Sequence, residues 1–402
     1  MFAEMAVDSV TRGQLSFCKF LSANDTGETN AHQAGIYISK PAIPILFDVP
    51  GERGSNKERW VHIKWQNDCV TETRFIYYGQ GSRNEYRITN FGRKFPFFNA
   101  EYTGALFVLV KEDIEDYKAY ILNTDDEINC FLDSFGLTPA DTNRLIDTSL
   151  QSTEKKEKDE IARYIALFNG GFPETEIMSR AARRITDIVK RGIDYLVGTD
   201  MLLEGKYPYA KANPDETLIE WTIQEYRLFR SLENSIYKDL LSKGFTDVES
   251  FVSLASEILN RRKSRAGKGL EHHLAALFDS NSIRFTEQAR TEGAKRPDFI
   301  FPSECDYHNP DFPASRLVSL AAKTTCKDRW RQVLNEADRL RDGVKYLCTL
   351  QQGVSRAQMD EMSAENVVLV VPQPYISAYP KDKQDKIWSI QKFITFVRNL
   401  EE

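Results

Sequence analysis

The sequence predicts a two-domain chain, a β-rich N-terminal barrel or pseudobarrel followed by a C-terminal α/β layer. Three observations predict it. The 402 residues exceed the usual size of a single domain. Up to about residue 147, short alternating apolar runs recur between Gly, Asn and Asp turns: Ile36-Tyr37-Ile38, Trp60-Val61-His62-Ile63-Lys64-Trp65, Phe75-Ile76-Tyr77-Tyr78 and Leu106-Phe107-Val108-Leu109-Val110. From residue 283 onward strands alternate with helices: Phe299-Ile300-Phe301, Leu317 to Ala322, a helix over 327–341, Lys345 to Leu350, a short helix, Val367 to Val371, and a last helix from about Lys383.

Between these regions the chain turns polar, with the mixed-charge run Glu154-Lys155-Lys156-Glu157-Lys158-Asp159-Glu160. That run reads as a linker or as an exposed helix carrying the connection. The expected division is 1–147, a linker over 148–171, and 172–402. Helical patterns follow the linker, from Glu176 to Tyr195, Leu218 to Leu241 and Val248 to Leu259. Within 327–341, Trp330, Val333, Leu334, Ala337 and Leu340 recur at three- and four-residue steps, which places Trp330 in the core.

Hydrophobic residues make up 41% of the chain, ample for buried cores, and the formal net charge is -6. A generally polycationic protein is therefore excluded, and any nucleic-acid affinity must come from local basic surfaces. One short run offers such a surface, with Arg261, Arg262, Lys263, Arg265 and Lys268, although such a run is commonly only a solvated face. The six cysteines form no CxxC pair and the five histidines show no zinc spacing with them, which argues against a disulfide scaffold or zinc module. No apolar run reaches membrane-spanning length and no signal-peptide pattern opens the chain, so a cytoplasmic protein without membrane contact is expected.

The chemistry-bearing residues fall at predicted strand ends. Asp298 stands at the head of Phe299-Ile300-Phe301, after Pro297, and Lys323 closes Leu317 to Ala322. Cleaving a phosphodiester at neutral pH requires a hydroxide-like nucleophile and a counter-charge for the phosphorane, both of which a carboxylate-held Mg²⁺ can supply. In the common nuclease pattern, PD followed at a distance by (D/E)xK, an acid lies two positions before the lysine. Here that position is Ala321, and Glu336 is the natural replacement. Asp298 and Glu336 would hold the metal and Lys323 would serve the attacking water or the phosphate.

A longer match adds to this. Asn260-Arg261-Arg262-Lys263-Ser264-Arg265-Ala266-Gly267-Lys268, Leu270-Glu271, Pro297-Asp298-Phe299, and Lys323-Thr324-Thr325-Cys326-Lys327-Asp328-Arg329-Trp330-Arg331-Gln332 through Asp338 closely resemble the catalytic half of the EcoRII-type restriction endonucleases. Ser22-Ala23-Asn24-Asp25-Thr26-Gly27, His32-Gln33, Gly35 with Tyr37, Arg83-Asn84-Glu85, Arg87-Ile88-Thr89 and Thr103-Gly104-Ala105-Leu106 resemble the effector-DNA-binding domain of the same family.

The resemblance implies a pseudobarrel similar to the plant B3 domain and a restriction-endonuclease-like catalytic domain. It also implies a Mg²⁺-dependent homodimer of type IIE, cutting both strands of double-stranded DNA at a CC…GG-type site, with CCWGG as the expected form. A second copy of the site would bind the N-terminal domain as allosteric effector. A cognate cytosine methyltransferase is expected in the same bacterial restriction-modification system, without direct contact.

By the same resemblance, Lys327, Asp328 and Arg329 would read the outer C:G pairs, and their donors and acceptor suit guanine O6 and N7 and cytosine N4. Glu271 would face the metal region or support it from outside. Trp221 would either stack on a flipped base or simply pack its helix. His32, Tyr37, Arg83, Glu85 and Arg87 match effector-domain residues that contact DNA, and Arg83, Glu85 and Arg87 are expected to alternate along one strand. Without the resemblance they read as a solvated cross-strand charge ladder. Tyr86 departs from the family pattern, which has a basic residue there. The competing classes are a non-cleaving sequence-specific DNA-binding regulator and a repair or transposition nuclease.

Overall fold

A computed structural model describes residues 2–28, 35–92, 95–146, 155–193, 207–293 and 295–401. His32 lies outside them. The N-terminal region carries eight strands: β1 Leu15–Phe20, β2 Ile36–Ile38, β3 Lys57–Trp65, β4 Val70–Tyr78, β5 Glu85–Thr89, β6 Leu106–Lys111, β7 Asp116–Leu122 and β8 Arg144–Leu145. They form one sheet in the order β2-β5-β4-β3-β7-β6-β1-β8, antiparallel except for the β3–β7 pair.

The two-residue period of a strand decides what each face does. Along β6, Phe107 and Leu109 enter a core with Phe17, Ile63, Trp65, Phe75 and Tyr117. Leu106, Val108 and Val110 instead pack with Ala3, Ala6, Val10, Ile128 and Phe131, which come from helices Phe2–Arg12 and Asp125–Phe135. The curled sheet is therefore filled on one side and roofed on the other, as the alternating runs predict.

Helices dominate the middle of the chain. Lys155–Leu167, Thr175–Thr186 and Pro214–Lys243 share a cluster built on Ile161, Tyr164, Met178, Ala181, Ile185, Leu228 and Phe229, and Val248–Ser280 packs against the last two of these helices. The region expected to be a linker over 148–171 is thus helical from Lys155 and packs with the C-terminal helices, because Ile161 and Tyr164 give it an apolar stripe. The helix predicted to end near Leu259 continues to Ser280 and carries the whole basic run. Most of that run is already engaged. Arg262 pairs with Glu233 and bonds the Asp133 and Ser134 carbonyls, and Arg265 is buried against Glu225.

Glu225 locks three helices together. It accepts from Ser179 Oγ at 2.6 Å, faces His273 at 3.0 Å and pairs with Arg265 at 3.1 Å. Burial alone would raise its pKa, but the His273 hydrogen bond and charge, with help from Arg265 and Ser179, hold it down to about 2. Next to this cluster Trp221 is fully buried. Tyr207 meets it edge-on with centroids 5.0 Å apart, Arg183 lies 5.7 Å over the ring, and its indole N–H points to Tyr209 Oη at 3.3 Å. In this conformation the ring is core, and no face is open to a flipped base.

The second sheet runs β13-β12-β11-β10-β9, from β9 Thr286–Glu287, β10 Phe299–Phe301, β11 Val318–Lys323, β12 Lys345–Thr349 and β13 Val367–Val370. β11, β12 and β13 are parallel, while β9 and β10 are antiparallel additions. Val318, Leu320 and Ala322 face Leu274, Phe278 and Phe393. Ala321 and Leu347 face Met359, Met362 and Tyr379. This is the expected α/β layer, helices covering both faces.

The segment 327–341 departs from its expected α-helix. It forms two 3₁₀ turns, Arg329–Asn335 and Asp338–Leu340. Trp330 and Val333 pack in the cluster of Leu347 and Tyr379, whereas Ala337 and Leu340 pack with Ile300 and Tyr307. One straight apolar stripe cannot serve both clusters, so the chain breaks between them. Trp330 is in the core, as expected.

The two regions meet closely. The Gly104 backbone, at φ +80°, approaches Gly353 so nearly that an added Cβ would stand 2.0 Å from the Gly353 carbonyl oxygen. Gln351 Nε2 donates to the Gly104 carbonyl at 2.8 Å.

Trp221→Leu keeps apolar bulk and removes the aromatic face. It is expected to lower the urea midpoint by the equivalent of about 1–3 kcal/mol while leaving the cognate cleavage rate unchanged. Unchanged stability with lost cleavage would instead assign the ring to a base.

Candidate active site

Antiparallel pairing brings the catalytic candidates together. Phe299 pairs with Leu320, so Asp298, one residue before β10, lies beside the end of β11. Its Oδ2 accepts from the Ala322 N–H at 2.7 Å and from Lys323 Nζ at 3.1 Å. Its Oδ1 accepts from Gln288 Nε2 at 3.0 Å, and the same nitrogen lies 2.9 Å from Glu271 Oε2. Glu271, on Val248–Ser280, also takes Lys268 Nζ at 3.0 Å. A buried carboxylate needs its lone pairs satisfied, and Asp298, 8% exposed, has them satisfied.

Glu336 caps the first 3₁₀ turn, and its carbonyl is held by Thr291 Oγ1 at 2.8 Å. Burial pushes its carboxyl up to about 7, with the Asp298 charge adding to the rise and the Lys323 ammonium opposing it. The Asp298 and Lys323 charges thus both reach the Glu336 carboxyl. Gln288 was not among the residues singled out from the sequence. It stands at φ +49° directly after the two-residue strand β9, and no motif marks it.

Among the described residues, no three His, Cys, Asp or Glu side chains are grouped so as to hold an ion as they stand. The donor chemistry nevertheless fits a hard divalent cation. Mg²⁺ is held by one or two carboxylates and keeps waters or takes phosphate oxygens for the rest. Asp298 and Glu336 would be such a pair, with Glu271 joined to Asp298 through the Gln288 amide.

The recognition candidates follow β11 directly but face the N-terminal region. Asp125, in the first turn of Asp125–Phe135, accepts the backbone N–H groups of Lys327, Asp328 and Arg329 at 3.0, 2.7 and 2.9 Å. Lys327, 3% exposed, donates its ammonium to the Thr103 and Glu101 carbonyls at 2.8 and 3.2 Å. Arg329 pairs with Asp126 at 2.6 Å. Desolvation pulls Lys327 down to about 7. A hydrogen bond to the Asp125 carboxylate, with burial and that carboxylate's charge, pushes Asp328 up to about 6. Burial works against Asp125, but the bond from Asp328 and the three N–H groups keep it lowered. In this arrangement Lys327 is buried and Arg329 is paired with Asp126, while Asp328, although exposed, is bonded to Asp125.

On the effector side, Tyr37 and Arg87 are cross-strand partners on β2 and β5. Arg87 is buried, pairs with Glu85 at 3.2 Å and donates to the Gly35 carbonyl at 3.2 Å. Arg83 falls in the turn before β5, its guanidinium 5.3 Å over the Tyr78 ring, so only Glu85 and Arg87 of the expected alternation share a strand face. Tyr86 turns inward, packing on Tyr77 with its hydroxyl accepting the Gly51 N–H at 2.8 Å. The Ser22–Gly27 stretch is a turn organised by Asp25, which accepts from Lys19, Ser22 and the Tyr37 N–H.

Residues 10–133 match the family described as restriction endonuclease EcoRII, N-terminal, and residues 229–394 match EcoRII C terminal. The Escherichia coli type II restriction enzyme EcoRII is 36% identical over 407 residues, covering 96% of this chain and 94% of that one. The chain belongs to the EcoRII family of type II restriction endonucleases. This EcoRII-family enzyme is also similar to metal-depleted Ecl18kI, solved in complex with uncleaved DNA. That likeness has 18% identity and a TM-score of 0.45, over 61% of this chain and 84% of the other. A second metal-depleted Ecl18kI complex, with uncleaved modified DNA, gives the same values. Among the described residues of the EcoRII-family chain, no helix is long and apolar enough to cross a membrane.

The Glu336 carboxyl makes two pH effects expected. Its raised pKa means the native state binds more protons than the unfolded state between the ordinary carboxyl range and about 7. Its contribution to stability is therefore present at low pH and lost as pH rises through about 7. Divalent-ion affinity should rise over the same interval as the carboxyl ionises. Glu336→Gln should flatten both profiles, measured by urea unfolding and Mn²⁺ titration calorimetry.

Proposed function

We propose that this enzyme hydrolyses both strands of duplex DNA at a CC…GG-type site, CCWGG, as a Mg²⁺-dependent homodimer. Its N-terminal domain would bind a second copy of the site as effector. The observation that carries the reading is the convergence of Asp298, Lys323 and Glu336 where β10 and β11 meet, a few residues before Lys327, Asp328 and Arg329.

Asp298 and Glu336 hold the divalent ion, with Glu271 beside them. Bound there, such an ion lowers the pKa of a water and offsets the charge that grows on the phosphorane. Lys323, fixed 3.1 Å from Asp298, presents its ammonium to the scissile phosphate or the attacking water. Lys327 and Arg329 donate to guanine O6 and N7, and Asp328 accepts from cytosine N4.

That reading requires movement, since Lys327 and Arg329 are bonded to the N-terminal region. Effector DNA bound around Tyr37, Arg83, Glu85 and Arg87, together with His32, relieves the restraint only by favouring the separated arrangement. Two antiparallel strands need two active sites, which a two-fold dimer supplies. Exposed Leu240, Leu241, Val248, Phe251 and Val252, at the ends of the two long helices, offer a second copy an apolar surface. A cytosine methyltransferase protecting host sites belongs with this activity and needs no contact with the enzyme.

Asp298→Ala and Lys323→Ala should each abolish cleavage of plasmid carrying CCWGG while retaining specific binding, and a chelator should reproduce the loss in the wild type. Sequencing the cut ends checks the site. Ends without fixed sequence would favour a repair-type nuclease.

Asp125→Ala and Asp126→Ala should raise cleavage of one-site plasmid and reduce its stimulation by added cognate duplex, Asp125→Ala more strongly because it releases three N–H groups. Unchanged stimulation in both variants would rule out this contact as the restraint.

A further inference from the structure

Gln288 occupies a backbone conformation that side chains of its length rarely adopt, φ +49°. The N–H of Gln288 donates to the Asp298 carbonyl at 3.0 Å, prolonging the β9–β10 pairing by one bond. The left-handed turn accompanies a side chain aimed at the acidic site, where its amide meets Asp298 and Glu271. Such a conformation is disfavoured for a residue with a Cβ and persists where the surroundings over-determine it. Here the surroundings are two carboxylates on different elements, Asp298 at the head of β10 and Glu271 on Val248–Ser280.

Both partners can only accept when ionised, so the amide must present its nitrogen, which carries two hydrogens. One hydrogen serves Asp298 Oδ1 at 3.0 Å and the other Glu271 Oε2 at 2.9 Å. Two neighbouring carboxylates repel, and Glu271 has an alternative partner in Lys268 on its own helix. Among the described residues, the Gln288 amide is what joins Glu271 to Asp298.

We propose that Gln288 is a positioning residue of the divalent-ion site, its carboxamide holding Glu271 beside Asp298 so that Glu271 joins the hold on the ion. The proposal rests on the reading of Asp298 as an ion-holding residue. Partners of this kind typically change metal affinity by about 10–100-fold when removed, because they gather ligands before the ion arrives.

The test is Mn²⁺ titration calorimetry on the full-length protein, with metal-free binding of cognate duplex as a parallel measurement. Gln288→Leu, which keeps length and removes the amide, should weaken Mn²⁺ binding by about 10–100-fold and leave metal-free duplex binding unchanged. Gln288→Asn tolerates the left-handed backbone but falls one methylene short, and should also weaken binding. In the double variant Glu271→Ala/Gln288→Leu, the loss should equal that of Glu271→Ala alone, since the amide acts through Glu271. Wild-type Mn²⁺ affinity in both Gln288 variants, or losses that multiply in the double variant, would overturn the proposal. Asp298→Ala separates the two readings. Loss of Mn²⁺ binding in Asp298→Ala with none in the Gln288 variants overturns the positioning role alone, whereas wild-type affinity in Asp298→Ala overturns the ion site and this proposal with it.

Discussion

Asp298 carries a charge into a place that excludes most water, and the surrounding structure is arranged to make that tolerable. One oxygen is bonded to the neighbouring strand through the Ala322 N–H and to Lys323, and the other is taken by Gln288. An unpaired buried carboxylate would simply keep its proton. Because the pairing of β10 with β11 provides the N–H and positions the lysine, the geometry of this candidate site is a property of the sheet. Glu336, brought near by a broken 3₁₀ segment, is itself buried, and that burial, with a smaller push from the Asp298 charge, holds its proton to about 7.

The periodicities that made the fold legible are those with one dominant burial direction. The alternation in β6 and in β11 names both faces of each sheet, and Asp298 and Lys323 lie at strand ends whose antiparallel pairing brings them together. The segment 327–341 has helical spacing, yet its apolar residues are shared between two clusters, and only tertiary packing shows that. The helix from Val248 runs past its expected end near Leu259 to Ser280, where Leu270, Leu274 and Leu277 are buried, and Gly267 and Gly269 lie within it. Gly269 lies where an added Cβ would meet the Glu225 carboxylate at 2.5 Å.

Other parts of the site leave no trace in local sequence. Asp125 and Asp126 look like ordinary acidic residues in the first turn of a helix capped by Thr124, where the helix dipole favours them. Their contact with Lys327, Asp328 and Arg329 joins positions some two hundred residues apart. Gln288 follows a strand of two residues and belongs to no motif. The basic run read as a nucleic-acid surface turns out to be partly spent within the fold, since Arg262 and Arg265 are paired with Glu233 and Glu225.

Parting the seam around Lys327, as the proposed function requires, would also exchange protons. Enclosed by the Thr103 and Glu101 carbonyls, the Lys327 amine is pulled down to about 7, while in an open arrangement it would regain the ordinary lysine range. Above about pH 7, opening therefore takes up a proton at Lys327 and is opposed by alkali. Asp328 runs the other way. It is pushed up to about 6 when closed and returns to the carboxylate range when freed, so below that pH opening releases a proton and is opposed by acid. Such a parting would be least opposed between the two values, near neutrality, where Lys327 would become a full cation and Asp328 a full anion.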